Sequence, residues 1–299
     1  MRVPFRGVTT REAVLLRGER GWGEFAPFVE YGDEEAARWL AAALEAAEGA
    51  WPEPLRDEIP VNATVPAVPA HQVSEVLARF PGCTTAKVKV AQPGQSLHDD
   101  IERVAAVREL VPNVRVDANA AWTVDEAVTA LNALGELEYA EQPCATVPEL
   151  AEVRRRVRVR IAADESIRRA TDPLLVARSQ AADVVVLKVA PLGGVREALT
   201  IAEECGLPVV VSSALDTSIG IRAGLALAAA LPDLPFACGL ATTSLLAADV
   251  VQDSLDARGG SIAVRDVAPS YELLERYAAP PDRDLWWRER LARVLELLP

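Results

Sequence analysis

Eight short apolar runs punctuate the chain from residue 61 onward, at 61–65, 86–90, 114–116, 137–140, 159–162, 184–189, 209–211 and 236–240. Between most of them lie segments with apolar residues at helical spacing, at 96–110, 124–134, 147–156, 173–178, 195–204 and 219–230. A short unbroken apolar run reads as a strand covered on both faces. Strands alternating with helices imply right-handed crossovers and a parallel sheet, and eight is the number that closes such a sheet into a barrel. The rival, an open doubly wound sheet, lacks its usual marks: no GxGxxG follows the first run and no GxxxxGK[ST] occurs. The fold expected is α/β, of TIM-barrel type.

The alternation is bracketed by different material. Residues 12–18 read as a strand, the glycines of 21–27 suit a tight turn, and 34–48 carries Ala37, Leu40, Ala41 and Leu44 at helical spacing. After about residue 260 the alternation stops. The tail, with Trp286, Trp287 and Leu291, reads as helix packed on the N-terminal unit.

Five of the runs end in a residue that is expensive to bury. Lys89 closes the second, Asp117 the third, Glu141 the fourth, Asp164 the fifth and Lys188 the sixth, at intervals of 28, 24, 23 and 24 residues. Each interval is about one strand–helix unit, so successive parallel strands deliver all five groups to one end of one barrel, where barrel active sites lie. The lysines inform in a second way. The chain has three, Lys87, Lys89 and Lys188, against 28 arginines, and all three sit in apolar runs. Arginine is expected at the solvated basic positions, and lysine where a compact amine able to lose its proton matters. Lys87 and Lys89 share one face of their strand, and their repulsion is expected to depress the pKa of one of them. Lys87 can also be read as a partly solvated spacer.

Three carboxylates brought together repel one another: at about 4 Å each pair costs roughly 4 kcal/mol at an effective dielectric of ~20. A divalent cation reverses that sign. An all-oxygen set without His or Cys suits a hard ion, Mg²⁺ with Mn²⁺ as a substitute, leaving positions open for substrate oxygens. Taken singly, each acid can instead be an ion-pair partner or a helix N-cap. A metal with two lysines suggests removal of a proton next to a carboxylate, because that weak carbon acid needs positive charge at its enediolate oxygens.

Composition narrows the partners. A formal charge of -13 argues against nucleic acid and anionic membrane surfaces, leaving a small-molecule substrate. Four scattered cysteines, no CxxC pair and no signal peptide or long apolar span point to a reduced, cytoplasmic enzyme, and the absence of a long apolar surface repeat leans to a monomer. The two histidines, His71 and His98, lie outside the strand ends, against a Ser-His dyad or a histidine zinc site.

Lys87-x-Lys89, Asp117-x-Asn119, Glu141, Asp164-Glu165 and Lys188 together resemble the enolase superfamily, in its muconate-lactonising subgroup, over nearly the whole chain. The resemblance implies a modified (β/α)₇β barrel over residues 58–261 beneath an α+β capping domain made of 1–57 with 262–299, and Gly21-Trp22-Gly23-Glu24 is similar to that domain's turn. The short length, the stretch PFRGVTTRE at 4–12, Asp117-Ala118-Asn119-Ala120-Ala121-Trp122 and Glu141-Gln142-Pro143-Cys144 are similar to actinobacterial dehydratases of menaquinone biosynthesis. That likeness implies Mg²⁺ on Asp117, Glu141 and Asp164, and syn elimination of water from 2-succinyl-6-hydroxy-2,4-cyclohexadiene-1-carboxylate. Lys89 would take the proton and then assist the leaving hydroxyl; Lys188, on the other face, would stay charged and stabilise the intermediate. Lys87 and Asn119 would orient Lys89 and the metal site, and Glu165 would pair with a lysine or stay a solvated acid. Ser212, Ser213, Gly239 and Leu240 would hold the succinyl arm, the serines being equally readable as helix N-caps. The same constellation serves N-succinylamino acid racemases and dipeptide epimerases; the ends of the last two runs lack an Asp-x-Asp, which leans to the dehydratase. A non-catalytic barrel should have lost a ligand or a lysine, and none is lost. The chain departs from the family pattern ahead of Arg6, where a complete strand is expected, and so in how the flap closes.

Overall fold

A computed structural model describes residues 1–5, 7–169 and 172–298. Near the N-terminus β1 (Val14–Arg17) and β2 (Trp22–Phe25) form an antiparallel pair. The turn expected over 21–27 is displaced: Gly18 N–H donates to Gly21 O at 2.9 Å, and 22–25 is strand. The helix Asp33–Glu48 covers β2 with Ala36, Trp39, Leu40 and Ala43. Gly23 has a reason to be glycine, since a Cβ there would collide with the carbonyl oxygen of Ala43.

After β3 (Glu58–Pro60) come the parallel strands β4 (Ala63–Val65), β5 (Thr85–Lys89), β6 (Asn113–Asp117), β7 (Ala140–Glu141), β8 (Ile161–Ala163), β9 (Val184–Leu187) and β10 (Val209–Val211). They lie in sequence order in one curled sheet, β10-β9-β8-β7-β6-β5-β4. Valine and alanine dominate these strands because helices cover the outer face and packed side chains fill the inner one. Three of the intervening helices begin with reciprocal capping boxes, Ser96 with Asp99, Thr123 with Glu126 and Thr146 with Glu149, which satisfy amides left open at a helix start. Several runs are shorter as strands than their sequence suggests: 61–65 is strand only over Ala63–Val65, 159–162 over Ile161–Ala163, and 184–189 stops at Leu187, where Lys188 leads into a helical turn at Val189–Leu192. β7 holds two residues in place of 137–140, and the run at 236–240 is reduced to two isolated bridges, Cys238 with Val61 and Gly239 with Ser212. Pro235 just before the run has no N–H donor and Gly239 no side chain to pack, and both weaken an extended ladder there. The bridges still join both edges of the sheet: Asn62 N–H donates to Cys238 O at 2.9 Å and Gly239 N–H to Val211 O at 2.8 Å.

The tail returns first to β3 and then to the N-terminal unit. β11 (Ser261–Ala263) pairs with β3, and the helix Pro281–Leu295 sets Trp287 edge-on to Phe25 with centroids 6.0 Å apart. Phe25, Trp39, Leu40, Trp287 and Val294 form one apolar cluster drawn from both ends of the chain. Arginine does not keep to solvated positions as composition suggested: Arg103, Arg115, Arg168, Arg222 and Arg290 are all buried. Each offsets its desolvation with several hydrogen bonds; Arg115, for example, donates to Tyr139, Asn62 and the carbonyl of Ala237 inside the barrel. Among the described residues no helix is long and apolar enough to cross a membrane.

Candidate active site

Parallel register sets the charged strand ends side by side. Lys89 is the Cα partner of Asp117, and Asp117 that of Glu141. Lys87, Lys89, Asp117, Glu141, Asp164 and Lys188 are all buried. Lys89 donates to Asp117 and, at 2.7 Å, to Asn119 Oδ1; the Asn119 backbone N–H donates to Asp117 Oδ1 at 3.0 Å. Lys87 donates to both oxygens of Glu141 at 2.9 Å, with Asp117 at 3.6 Å. Lys188 donates to Asp164 Oδ2 at 2.6 Å, and Arg168 Nε to Asp164 Oδ1 at 3.0 Å. Glu165, expected beside a lysine or in solvent, accepts from Arg168 Nη2 at 2.7 Å and from Asn119 Nδ2 at 3.3 Å. Just past the strand ends Asn119, Ala120 and Gln142 take positive φ values of 47°, 65° and 39°, a cluster of strain of the kind stored at functional sites.

The electrostatics separate the three acids. Burial raises Asp117, but Lys89 and Lys87 outweigh it and hold the carboxyl far below its usual range. Burial likewise raises Asp164, yet Arg168 and Lys188 bring it down to about 2. Glu141 is the exception: burial and then the charge of Asp117 push it up to about 7, and Lys87 only partly offsets them. The expected depression of a lysine is not found at Lys87, where burial lowers the pKa but Glu141 and Asp117 hold it above the ordinary lysine value. Lys87 is neither a solvated spacer nor a free base; it is a buried counter-ion.

Among the described residues no three Asp, Glu, His or Cys side chains stand close enough to grip a metal, because each carboxylate is turned onto an ammonium or guanidinium group. The donor set nevertheless fits a hard dication: three buried carboxylates on consecutive strand ends, all oxygen, with Glu141 pushed up to about 7 by burial and the charge of Asp117.

A cleft of about 730 Å³ of empty space, part of it open to solvent, lies over these groups, a size that suits a small molecule. Lys89 and Lys188 come from strands four apart in an eight-position barrel, so they face each other across it. The N-terminal unit supplies an apolar wall of Phe5, Val8, Phe28 and Trp39, with the Phe5 ring centroid 5.1 Å from Lys89 Nζ. Ser212, Ser213 and Gly239 line the cleft; Leu240 does not, packing instead on Gly224 at an adjoining pocket. Arg6, next in sequence to Phe5, lies outside the described residues. Lys87, Asp117 and Arg168 also line the cleft, whereas Asn119, Glu141, Asp164 and Glu165 reach it through the side chains they bond.

Comparison with known proteins places the chain in a family. Residues 70–269 match the enolase C-terminal domain-like family and residues 1–47 the enolase N-terminal domain-like family. Curated o-succinylbenzoate synthases of Mycobacterium tuberculosis and Mycobacterium leprae are 60% and 59% identical over the whole of this chain, covering 92% and 90% of their own lengths. The chain belongs to the o-succinylbenzoate synthase family of the enolase superfamily. Enzymes of this superfamily generally use Mg²⁺. In fold it is similar to muconate lactonizing enzyme from Pseudomonas putida, with TM-score 0.76 at 21% identity over 89% of this chain and 94% of that one. Dipeptide epimerase from Enterococcus faecalis V583 is similar at TM-score 0.70 and 24% identity, over 86% and 92%.

Within this family architecture, sequence reasoning missed Arg168, Thr64, Thr242 and the aromatic wall, all of which line the cleft. Arg168 had a legible signal, since it follows Asp164 by four residues on a single helical turn, Glu165–Arg168, where i,i+4 partners meet. Phe28 and Trp39 had none, because nothing local shows which face of the N-terminal unit meets the barrel.

Proposed function

We propose that this chain carries out the o-succinylbenzoate synthase reaction of menaquinone biosynthesis, the Mg²⁺-dependent syn elimination of water from 2-succinyl-6-hydroxy-2,4-cyclohexadiene-1-carboxylate. The observation that carries the reading is the pair of lysines opposed across one cleft beside three buried carboxylates; the names of the curated relatives favour dehydration over racemisation. When bound, Mg²⁺, or Mn²⁺ in its place, supplies positive charge to Asp117, Glu141 and Asp164 and to the oxygens of the developing enediolate. Lys89, placed by Asp117 and Asn119, removes the proton alpha to the ring carboxylate and returns it to the departing hydroxyl on the same face, so that water leaves and the ring becomes aromatic. Lys188, anchored by Asp164 on the opposite wall, remains an ammonium group facing the charge that develops. Ser212, Ser213 and Gly239 hold the succinyl arm, with the Ser213 hydroxyl 2.7 Å from that of Thr242, and Leu240 shapes the adjoining pocket. Lys87, Asn119 and Glu165 hold the lysines and acids in place. Residues 1–57 with 262–299 act as a cap on the barrel at 58–261, and the four buried free thiols fit a reducing, cytoplasmic setting.

Purified protein with Mg²⁺ should consume the diene chromophore, EDTA should abolish the loss, and deuterium should not enter N-succinyl amino acids incubated in parallel. Lys89→Ala should lower turnover by about 10³-fold or more. Deuterium exchange without dehydration would move the function to racemisation, and an active Lys89→Ala variant would remove that residue from its role.

A further inference from the structure

Arg168 makes three side-chain contacts in three directions. Its Nε donates to Asp164 Oδ1 at 3.0 Å, its Nη2 to Glu165 Oε1 at 2.7 Å and its Nη1 to the Tyr31 hydroxyl at 2.9 Å. The first contact leads to Lys188, which shares Asp164. The second leads to Lys89, because Asn119 donates to the same Glu165 oxygen and accepts from Lys89 Nζ. The third crosses to the N-terminal unit. There the Tyr31 ring packs edge-on against Phe28 and Trp39, with centroids 5.4 and 6.3 Å apart, and both of those side chains line the cleft. Arg290 of the C-terminal helix holds the Tyr31 carbonyl at 2.6 Å, so the tyrosine is fixed from the tail as well. One buried guanidinium therefore joins the hydrogen-bonded paths to both opposed lysines and the aromatic wall above them. A rigid planar fork can do this; a flexible ammonium group cannot satisfy three such directions with the same geometry.

We propose that Arg168 is a positioning residue that couples the seating of the N-terminal unit, through Tyr31, to the placement of Lys89 and Lys188 together. The role rests on the dehydratase reading for its consequence in turnover, but the coupling itself is a property of the contacts. Loss of the Tyr31 hydroxyl leaves the aromatic wall intact and frees one arm of the fork, so kcat should fall while KM changes little. Loss of the fork should cost more and should also disturb Asp164.

The test is a double-mutant cycle on the full chain with Tyr31→Phe, Arg168→Lys and the pair, read as kcat, KM and the Kd for Mg²⁺ by calorimetry, with thermal unfolding as a check on folding. Arg168→Lys should weaken Mg²⁺ binding and kcat by about 10- to 100-fold, the usual effect of losing a partner that orients a metal ligand. Tyr31→Phe should lower kcat by about threefold or more with KM within twofold, and should add almost nothing in the Arg168→Lys background. Independent, multiplicative effects of the two changes would overturn the proposal, as would unaltered kcat and Mg²⁺ affinity in a folded Tyr31→Phe variant. If Arg168→Lys fails to fold, the Tyr31→Phe split between kcat and KM decides alone. Mg²⁺ titration needs no turnover, so wild-type protein that does not dehydrate the diene would end the dehydratase reading while the cycle in Kd still decides the coupling.

Discussion

Glu24, on β2, is a carboxylate held where its charge is disfavoured. Burial, and after it the neighbouring charge of Asp216, push it up to about 8, although the Thr217 hydroxyl and backbone amide favour the ionised form. Gly220 leaves room for both acids: a Cβ there would lie 2.7 Å from Asp216 Cβ and 3.1 Å from Glu24 Cδ. Because the folded value exceeds the ordinary 4.5, the native chain holds this proton over a range in which the unfolded chain has lost it. The contribution is complete below about pH 4.5 and is lost as pH rises through about 8, with a slope of at most ~1.4 kcal/mol per pH unit for one group. Glu24→Gln keeps an acceptor for Thr217 and removes the titration. Melting temperatures measured from pH 5 to 9 should therefore fall less steeply with pH in the variant than in the wild type; parallel profiles would show that Glu24 does not titrate in that range.

Between elements, the contact that sets the N-terminal unit is the one between β2 and the helix Asp33–Glu48. Gly23 lets the strand touch the helix backbone at Ala43, and no side chain fits between them. Gly23→Ala should destabilise the chain by about 3 kcal/mol, at the upper end for overpacking. Displacing the helix would also move Trp39 off the cleft, so turnover should drop with stability. Denaturant unfolding with a parallel assay checks this, and an unchanged midpoint would mean that the strand and helix part without cost. The helices on the barrel were easier to foresee because their starts are written locally: Thr123 and Glu126 each use the other's backbone amide, a three-residue pattern that needs no tertiary information.

At the scale of the whole molecule, residues from both chain ends complete one unit over the cleft. Trp287 is buried, meets Phe25 edge-on and donates from Nε1 to Glu12 at 3.1 Å, while Arg283 pairs with the same carboxylate. Trp287→Ala should cost about 3–5 kcal/mol, as expected for deleting a large buried aromatic residue. It should also raise KM, since the wall formed by Phe28 and Trp39 rests on this cluster. Urea unfolding followed with substrate kinetics tests both. A variant that is destabilised but keeps its KM would show that the tail supports the fold without shaping the cleft.

Features that repeat or act at short range were legible from the residues alone. The alternation of apolar runs and amphipathic segments follows from strand and helix periods, and the charged strand ends reach one rim because their intervals match one strand–helix unit. Val184–Leu187, followed at once by Lys188, was legible for that reason. Tertiary structure alone decided which cation holds which acid. Lys87 took Glu141, Arg168 took Asp164 and Glu165, and Tyr31 reached Arg168 across 137 residues of chain. It also turned Leu240 onto Gly224 and reduced the eighth run to two bridges. Such pairings depend on the distance and desolvation of groups remote in sequence, quantities that no local pattern encodes.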